Sequence, residues 1–413
     1  MTTPAAEPES APASLPGRPS GPLRFAPFRY LFAARLFTVV GNGVAPIALA
    51  FAVLDMSGSA VELGVVVAAR SVANMAVLLV GGVVADRLPR NAVLLATSLL
   101  AAATQGTIAW LVLDGSATIP ALVALSVANG AAAALSLPAS SALVPQTVPT
   151  ASLRGANALL RLGLNGGTIF GSVAGAALVA AVGPGWGLAI DAVGFAIAGP
   201  LFLRVGKDRS ATERTRTSVF EDLRDGWREF SSRSWVWSVV AQFALVNACF
   251  VGAIAILGPV IADATFGRAS WGLVVGAEAV GLAVGALISM RWQPRHALFV
   301  GVVLVAACAL PVTLLAVAPV VPLLVVAFFL GGVAIEQFSV AWDVALQSHI
   351  PPDRLARVYS YDMLGSLAAM PIGQLAAGPL AVHFGTPPVL LAAAAIIVAA
   401  TAATALLPAV RKL

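Results

Sequence analysis

Eight charged side chains lie about a turn or more inside the long apolar stretches of this sequence. A charge at such depth in a membrane costs at least about 2.5–3.5 kcal/mol, so each marks a candidate functional position. Arg35, Arg70 and Arg161 fall in the first half of the chain, and Glu278, Glu336, Asp343 and Asp362 in the second. Asp191 is the one acid at depth in the first half. Polar neighbours repeat at helical spacing: Arg35, Thr38 and Asn42; Arg161, Asn165, Thr168 and Ser172; Glu336, Ser339, Asp343 and Gln347. Each set lines one side of a helix. Such stripes suit ligand binding and proton exchange in a shared cavity, with cations from one half and anions from the other. Hydrolysis is not suggested, because His296, His349 and His383 are isolated and no nucleophile–base–metal grouping occurs. Cys249 and Cys308 lack metal-ligand spacing, and no G-x-x-x-x-G-K-[ST] stretch would cradle nucleotide phosphates. No cofactor is expected, and an ion gradient is the expected drive.

Membrane-spanning helices must position these groups. Of the 413 residues, 59% are hydrophobic and 10% charged, where soluble domains carry about 25% charged residues. Runs of about 20 apolar residues are long enough to span a bilayer. Twelve occur, at approximately 29–54, 60–85, 91–113, 119–140, 156–182, 184–203, 235–262, 269–290, 296–317, 321–347, 358–383 and 387–408. With the N-terminus inside, 20 of the 24 Lys and Arg residues fall on inner segments. Arg268 alone falls on an outer loop. This positive-inside pattern predicts a multi-pass protein of the cell inner (plasma) membrane with both termini cytoplasmic. The net charge of +5 is then no sign of a nucleic-acid partner.

Residues 1–26, rich in Pro, Ala and Ser, read as a disordered cytoplasmic tail. Residues 27–203 and 235–413 read as two six-helix bundles, joined by a cytoplasmic linker at 204–234. In that linker Val219, Leu223, Trp227 and Phe230 predict an amphipathic helix on the inner face. The halves repeat: a shift of 202 lays Pro149 on Pro351, Gly163 on Gly365, Gly171 on Gly373 and Gly183 on Gly385. A shift of 208 lays Gly64 on Gly272 and Arg70 on Glu278. Arg70 and Glu278 then either form a coupled pair or face a cavity from opposite sides. Arg35 and Arg161 lie near the inner surface and either line the cavity or snorkel to that surface. Asp343 and Asp362 serve either a gate, paired with Arg154 or Arg357, or ion coupling. Asp191 reads as a structural hydrogen-bonding group.

Between the second and third runs lies the charged turn Gly81–Asn91. Its Gly82, Ala85, Asp86, Arg87 and Arg90, with Leu94 beyond, match the signature G-x-L-A-D-R-x-G-R-K-x-x-L. Val84, Pro89 and Asn91 depart from it. On these residues the chain resembles the major facilitator superfamily. Gly167, Gly171 and Gly175 resemble that family's antiporter signature, with Ser172 for its Pro and Ala176 for its last Gly; ordinary tight helix packing explains them equally well. Leu137-Pro138-Ala139, Ala156-Asn157-Ala158-Leu159, Ile190-Asp191-Ala192 and Asp222-Leu223-Arg224-Asp225-Gly226 are similar to the exporter branch that holds macrolide efflux pumps and the enterobactin exporter. One departure matters. Many drug antiporters carry an arginine in the fourth helix three residues before a Gln-Gly pair; here Ser126 precedes Asn129-Gly130.

The resemblance implies an all-α polytopic membrane protein, with twelve transmembrane helices in two six-helix pseudo-repeats. It implies a monomeric, proton-coupled exporter of a hydrophobic or amphipathic small molecule, in contact with membrane lipid. A facilitator or importer without proton coupling, or a sensor or lipid-handling protein on the same fold, is the alternative. The resemblance also casts Gly82, Asp86, Arg87, Arg90 and Asp362 as gate residues. The counterpart turn, Gly285–His296, has no acid, so Asp86 alone would reach the start of the eleventh helix near Arg357–Ser360. Asp86→Asn is therefore expected to favour the inward-open state. Unchanged accessibility labelling at both membrane faces would refute this role for the turn.

Overall fold

The computed structural model describes residues 21–85, 89–206, 227–292 and 294–412; the side chains at 79–85, 137, 138, 141, 142, 154, 352, 353 and 356 are outside it. Among these described residues, twelve helices are long and apolar enough to cross a membrane. They are α1 (Ala26–Ser57), α2 (Ala60–Ala85), α3 (Arg90–Asp114), α4 (Ile119–Thr147), α5 (Leu153–Val182) and α6 (Pro184–Leu203), then α7 (Ser234–Ala264), α8 (Arg268–Ser289), α9 (Ala297–Val317) and α10 (Val321–His349). They end with α11, in two stretches Pro352–Leu367 and Met370–Phe384, and α12 (Thr386–Ala405). No strand occurs among the described residues. Within hydrocarbon every backbone polar group must be satisfied internally, which a helix alone achieves without a closed barrel. Several helices outrun the apolar stretches: Arg29, Arg90 and Arg354 lie within first turns.

Three helices are irregular, each just before a proline. A π turn spans Ala253–Leu257 ahead of Pro259, a 3-10 turn spans Val305–Cys308 ahead of Pro311, and α11 breaks after Leu367 ahead of Pro371. A proline has no N–H to donate, and its ring collides with the carbonyl four residues back. Those carbonyls belong to Ala255, Ala307 and Leu367, and each lies in the distorted turn or at its edge.

The two halves pack alike. In the first, α1 meets α5 and α6, α3 meets α4 and α6, and α2 meets α4. In the second, α7 meets α11 and α12, α9 meets α10 and α12, and α8 meets α10. Lipid tails are as apolar as these helices, so close contact rather than water exclusion drives their association. The contacts match residue by residue. Gly130 lies against the Arg70 carbonyl, and Gly332 against that of Glu278. Gly171 lies against the Val40 carbonyl, and Gly373 against that of Ala248. Gly163 abuts Phe32, and Gly365 abuts Val240. These pairs keep the two shifts of 202 and 208 that relate the halves in sequence. Gly183 and Gly385 both end their helices at positive φ, 94° and 86°, where other residues are strained.

Between the halves α5 crosses α8 and α2 crosses α11. Call the face where α1 begins terminal, and the other distal. The close approaches fall in the distal parts of these helices: Ala176 against Gly272, Val173 against Gly276, Gly64 on the Gln374 carbonyl and Gly378 on that of Ala60. An ion cluster lies on the same side. Arg268 Nε donates to Asp263 Oδ1 at 2.7 Å, and Nη1 to Asp55 Oδ2 at 2.9 Å. Nη2 engages the other Asp55 oxygen, and the guanidinium sits 4.7 Å from the Phe51 ring centroid. Asp55 ends α1 and Arg268 begins α8, so the cluster ties the halves together. The planar guanidinium is suited to such a two-point grip.

On the terminal side residues 227–232 are helical. Glu229 accepts from Arg354 Nη1 at 2.7 Å and Arg233 Nε at 2.9 Å, and these guanidiniums hold its carboxyl below the usual glutamate range. Trp227 and Phe230 pack on Tyr361. The end of the linker is thus docked on α11; most of the expected amphipathic helix lies outside the described residues.

Two outcomes follow from this packing. Gly373→Ala is expected to destabilise the protein by about 1–3 kcal/mol through overpacking, whereas Gly166→Ala, with nothing near its new methyl, is expected to be neutral or slightly stabilising; thermal unfolding in detergent compares them. Arg268→Ala is expected to speed the reaction of a cysteine at Val61 with a membrane-impermeant maleimide applied from the distal face. An unchanged rate would leave the ion cluster without a part in closing that face.

Candidate functional site

The charged residues of α2 and α8 sit at matching depth. Arg70 is the tenth residue after Ala60, and Glu278 the tenth after Arg268. At 1.5 Å per residue each is about 15 Å from the distal end of its helix, near the middle of a hydrocarbon core about 30 Å thick. Both line a cavity of about 310 Å³ between the halves. Pro46 and Val67 share its first-half wall; Phe250, Ala255, Pro259 and Trp271 are on the other. Ala255 belongs to the π turn of α7, so the proline-driven distortion shapes this wall. Among the described residues neither Arg70 nor Glu278 makes a side-chain hydrogen bond or ion pair. The sequence left open whether the two are paired or opposed; in the structure they line the cavity from different halves and make no ion pair with each other.

A second cavity of about 400 Å³ lies inside the first half. The α1 stripe Arg35, Thr38 and Asn42 lines it, facing Thr97, Ser98, Asn129, Ser136 and Ser140. Arg35 Nη1 donates to Ser140 Oγ at 3.0 Å. Arg70 and Pro46 belong to the walls of both cavities. The surrounding interior is polar and largely satisfied. Ser136 Oγ donates to Thr97 Oγ1 at 2.7 Å, Asn129 Nδ2 to Thr104 Oγ1 at 3.2 Å, and Asn74 Nδ2 to the Gly130 carbonyl at 3.2 Å. Gln105 Nε2 donates to Asp191 Oδ2 at 2.6 Å, and Asp191 is fully buried. Sequence reading passed over this network, although Thr97, Thr104 and Gln105 share a face of α3 by spacing.

The stripes of α5 and α10 line neither cavity. Arg161, Asn165 and Thr168 are exposed while Ser172 is buried. Glu336 is half-buried with its Cβ near Gly285, and Arg161 and Asp343 are the charges that act on it. Asp343 accepts from the Tyr359 hydroxyl at 2.9 Å. Asp362 accepts from Trp342 Nε1 at 2.9 Å and Ser366 Oγ at 3.1 Å. Both acids therefore hydrogen-bond within the second half; the Arg154 side chain is outside the described set. Gly167, Gly171 and Gly175 pack α5 on Val39, Val40 and Val44 of α1. The next face of the same helix, through Val173 and Ala176, meets α8. Of the gate residues, Asp86 and Arg87 lie outside the described residues, Gly82 belongs to α2 and Arg90 opens α3. The Arg268 cluster was visible in the sequence only as a lone outer cation.

No group of three His, Cys, Asp or Glu among the described residues is arranged to hold a metal ion. What the arrangement offers is a chamber between two halves, with opposite charges at mid-depth and one face shut.

Known proteins place this architecture. The Major Facilitator Superfamily model matches residues 31–366. The multidrug efflux pump Tap of Mycolicibacterium fortuitum is 25% identical over 397 residues, which cover 93% of this chain and 96% of that one. The enterobactin exporter EntS of Salmonella typhimurium (strain LT2) is 27% identical over 340 residues, 80% of each chain. The crystal structure of the nucleoside transporter NupG superposes with a TM-score of 0.76 over 92% of this chain and 98% of that one, at 15% identity, a likeness of fold alone. The chain is a multi-pass membrane transport protein, and it belongs to the Major Facilitator Superfamily.

Proposed function

We propose that this protein is a proton-coupled exporter of a hydrophobic or amphipathic small molecule, working by alternating access. One observation carries the reading. Arg70 and Glu278 stand unpaired at mid-depth in a cavity between the halves, and the distal face above them is tied by Arg268 and Asp55. Unpaired charges at that depth are expensive and are kept for work on a passing solute or ion. The same closure makes this state inward-facing in our reading, with the polar sides of α5 and α10 opening to the terminal face. The arginine asymmetry makes that face cytoplasmic, in the plasma membrane. The similarity to Tap, a multidrug efflux pump, and to EntS, an enterobactin exporter, favours outward transport and a part in antibiotic resistance.

In the proposed cycle the two six-helix units, 27–203 and 235–413, rock about the seams α5–α8 and α2–α11. Substrate enters from the cytoplasm or inner leaflet. Glu278 or Glu336 takes a proton from outside, and its neutralisation changes the balance between the two states. Asp86, Arg87 and Arg90 close the cytoplasmic face in the outward state, against the start of α11. The protein acts as a monomer within membrane lipid.

Inverted vesicles given a panel of dyes, macrolides and siderophores, with and without a proton gradient, test this. Gradient-dependent accumulation is expected, falling by at least about tenfold in Glu278→Gln or Glu336→Gln at equal protein level. Accumulation that ignores the gradient would remove the antiport claim.

A further inference from the structure

The cavity between the halves is lined by opposite charges, one from each half. Arg70 projects from α2 in the first half and Glu278 from α8 in the second, at equivalent positions of the repeat. Neither has a hydrogen-bond or ion-pair partner among the described residues. Asp191 acts on Arg70 electrostatically, but it is fully buried inside the first half, is held by Gln105, and does not line the cavity. A solute in this chamber therefore meets a guanidinium from one half and a carboxylate from the other. Phe250 and Trp271, from the same half as Glu278, add aromatic side chains to its lining.

We propose that this cavity binds a zwitterionic amphipath. Its anionic group lies on Arg70, its cationic group on Glu278, and its apolar body against Phe250 and Trp271. This rests on the transport reading of the same cavity and names the substrate class. A desolvated charge is costly unless paired. A solute with only a cation pairs Glu278 but is repelled by Arg70; a solute with only an anion meets the reverse. A solute with both satisfies each wall, through charge-assisted hydrogen bonds that are about twice as strong as neutral ones. A volume of about 310 Å³ is at the small end of pockets that hold drug-sized molecules. The two charges belong to different halves, so a ligand that spans them also bridges the units that must move.

Equilibrium binding of ciprofloxacin, a fluorescent zwitterion near neutral pH, tests the proposal with the full chain in nanodiscs. Its ethyl ester keeps only the cation, and its N-acetyl derivative only the anion. The zwitterion is expected to bind at least about tenfold more tightly than either derivative. In Glu278→Gln the preference over the N-acetyl form should vanish while that over the ester remains; Arg70→Gln should do the opposite. The wild-type comparison stands even if a variant fails to fold. Equal binding of all three forms, tighter binding of a singly charged form, or binding of none overturns the proposal. The assay uses no gradient, so it separates the two readings. Charge-blind binding alongside gradient-driven export refutes only the zwitterion site. Charge-selective binding without export refutes the pump.

Discussion

The fold depends on backbone carbonyls pressed against glycine α-carbons where helices cross. In a bilayer no water is displaced when two apolar helices meet, so their spacing is set by how closely the backbones approach. Gly130 and Gly332 allow that approach to the carbonyls of Arg70 and Glu278; Gly171 and Gly373 allow it to those of Val40 and Ala248. One set of contacts thus serves both halves. It also aims the charges, because the crossings that lock α2 to α4 and α8 to α10 are made at the charged residues themselves. The depth of Arg70 and Glu278 is a consequence of helix packing.

Helix α5 carries two kinds of contact on adjacent faces. Its glycines bind it to α1 within one half, and Val173 and Ala176 set it against α8 in the other. Ala176 stands where the antiporter signature has its last glycine, and its methyl group meets Gly272. The departure from the signature lies on the seam between halves, whereas the matching glycines lie on the seam within a half. A motion that opens the distal face can therefore break α5–α8 contacts while leaving α1–α5 packed. The Arg268 cluster adds a directional contact to that seam. Its three charged members come from the ends of α1, α7 and α8, so it joins the two halves directly.

Proline shapes the second half as glycine joins the two. Pro259, Pro311 and Pro371 each disturb the turn before them. The first of these disturbances forms part of the central cavity wall, a common place for a π turn to be found. The first half builds its polar interior differently, from hydrogen-bonded Thr, Ser, Asn and Gln side chains around Asp191 and Arg35. The pseudo-repeat is therefore symmetric in backbone and asymmetric in chemistry.

By itself the sequence determined the class and the count of helices, because a span must be long and apolar and its length is set by the bilayer. It also determined the repeat, since matched glycines and prolines record backbone geometry, and the matching depth of Arg70 and Glu278, since a common shift carries a common depth. It did not reveal which stripe faces which cavity. Arg35, Thr38 and Asn42 lie on one helix face, as spacing requires, but that face turns into the first half, a rotation decided by Gly171, Gly175 and their neighbours on α5. Asp343 and Asp362 gave no sign of Tyr359 and Trp342 as partners, because those bonds join different helices. Only the tertiary structure made Arg268 a tie between halves. Its partner Asp55 is more than two hundred residues away, and periodicity is a local signal that carries no record of what an exposed charge meets across the fold.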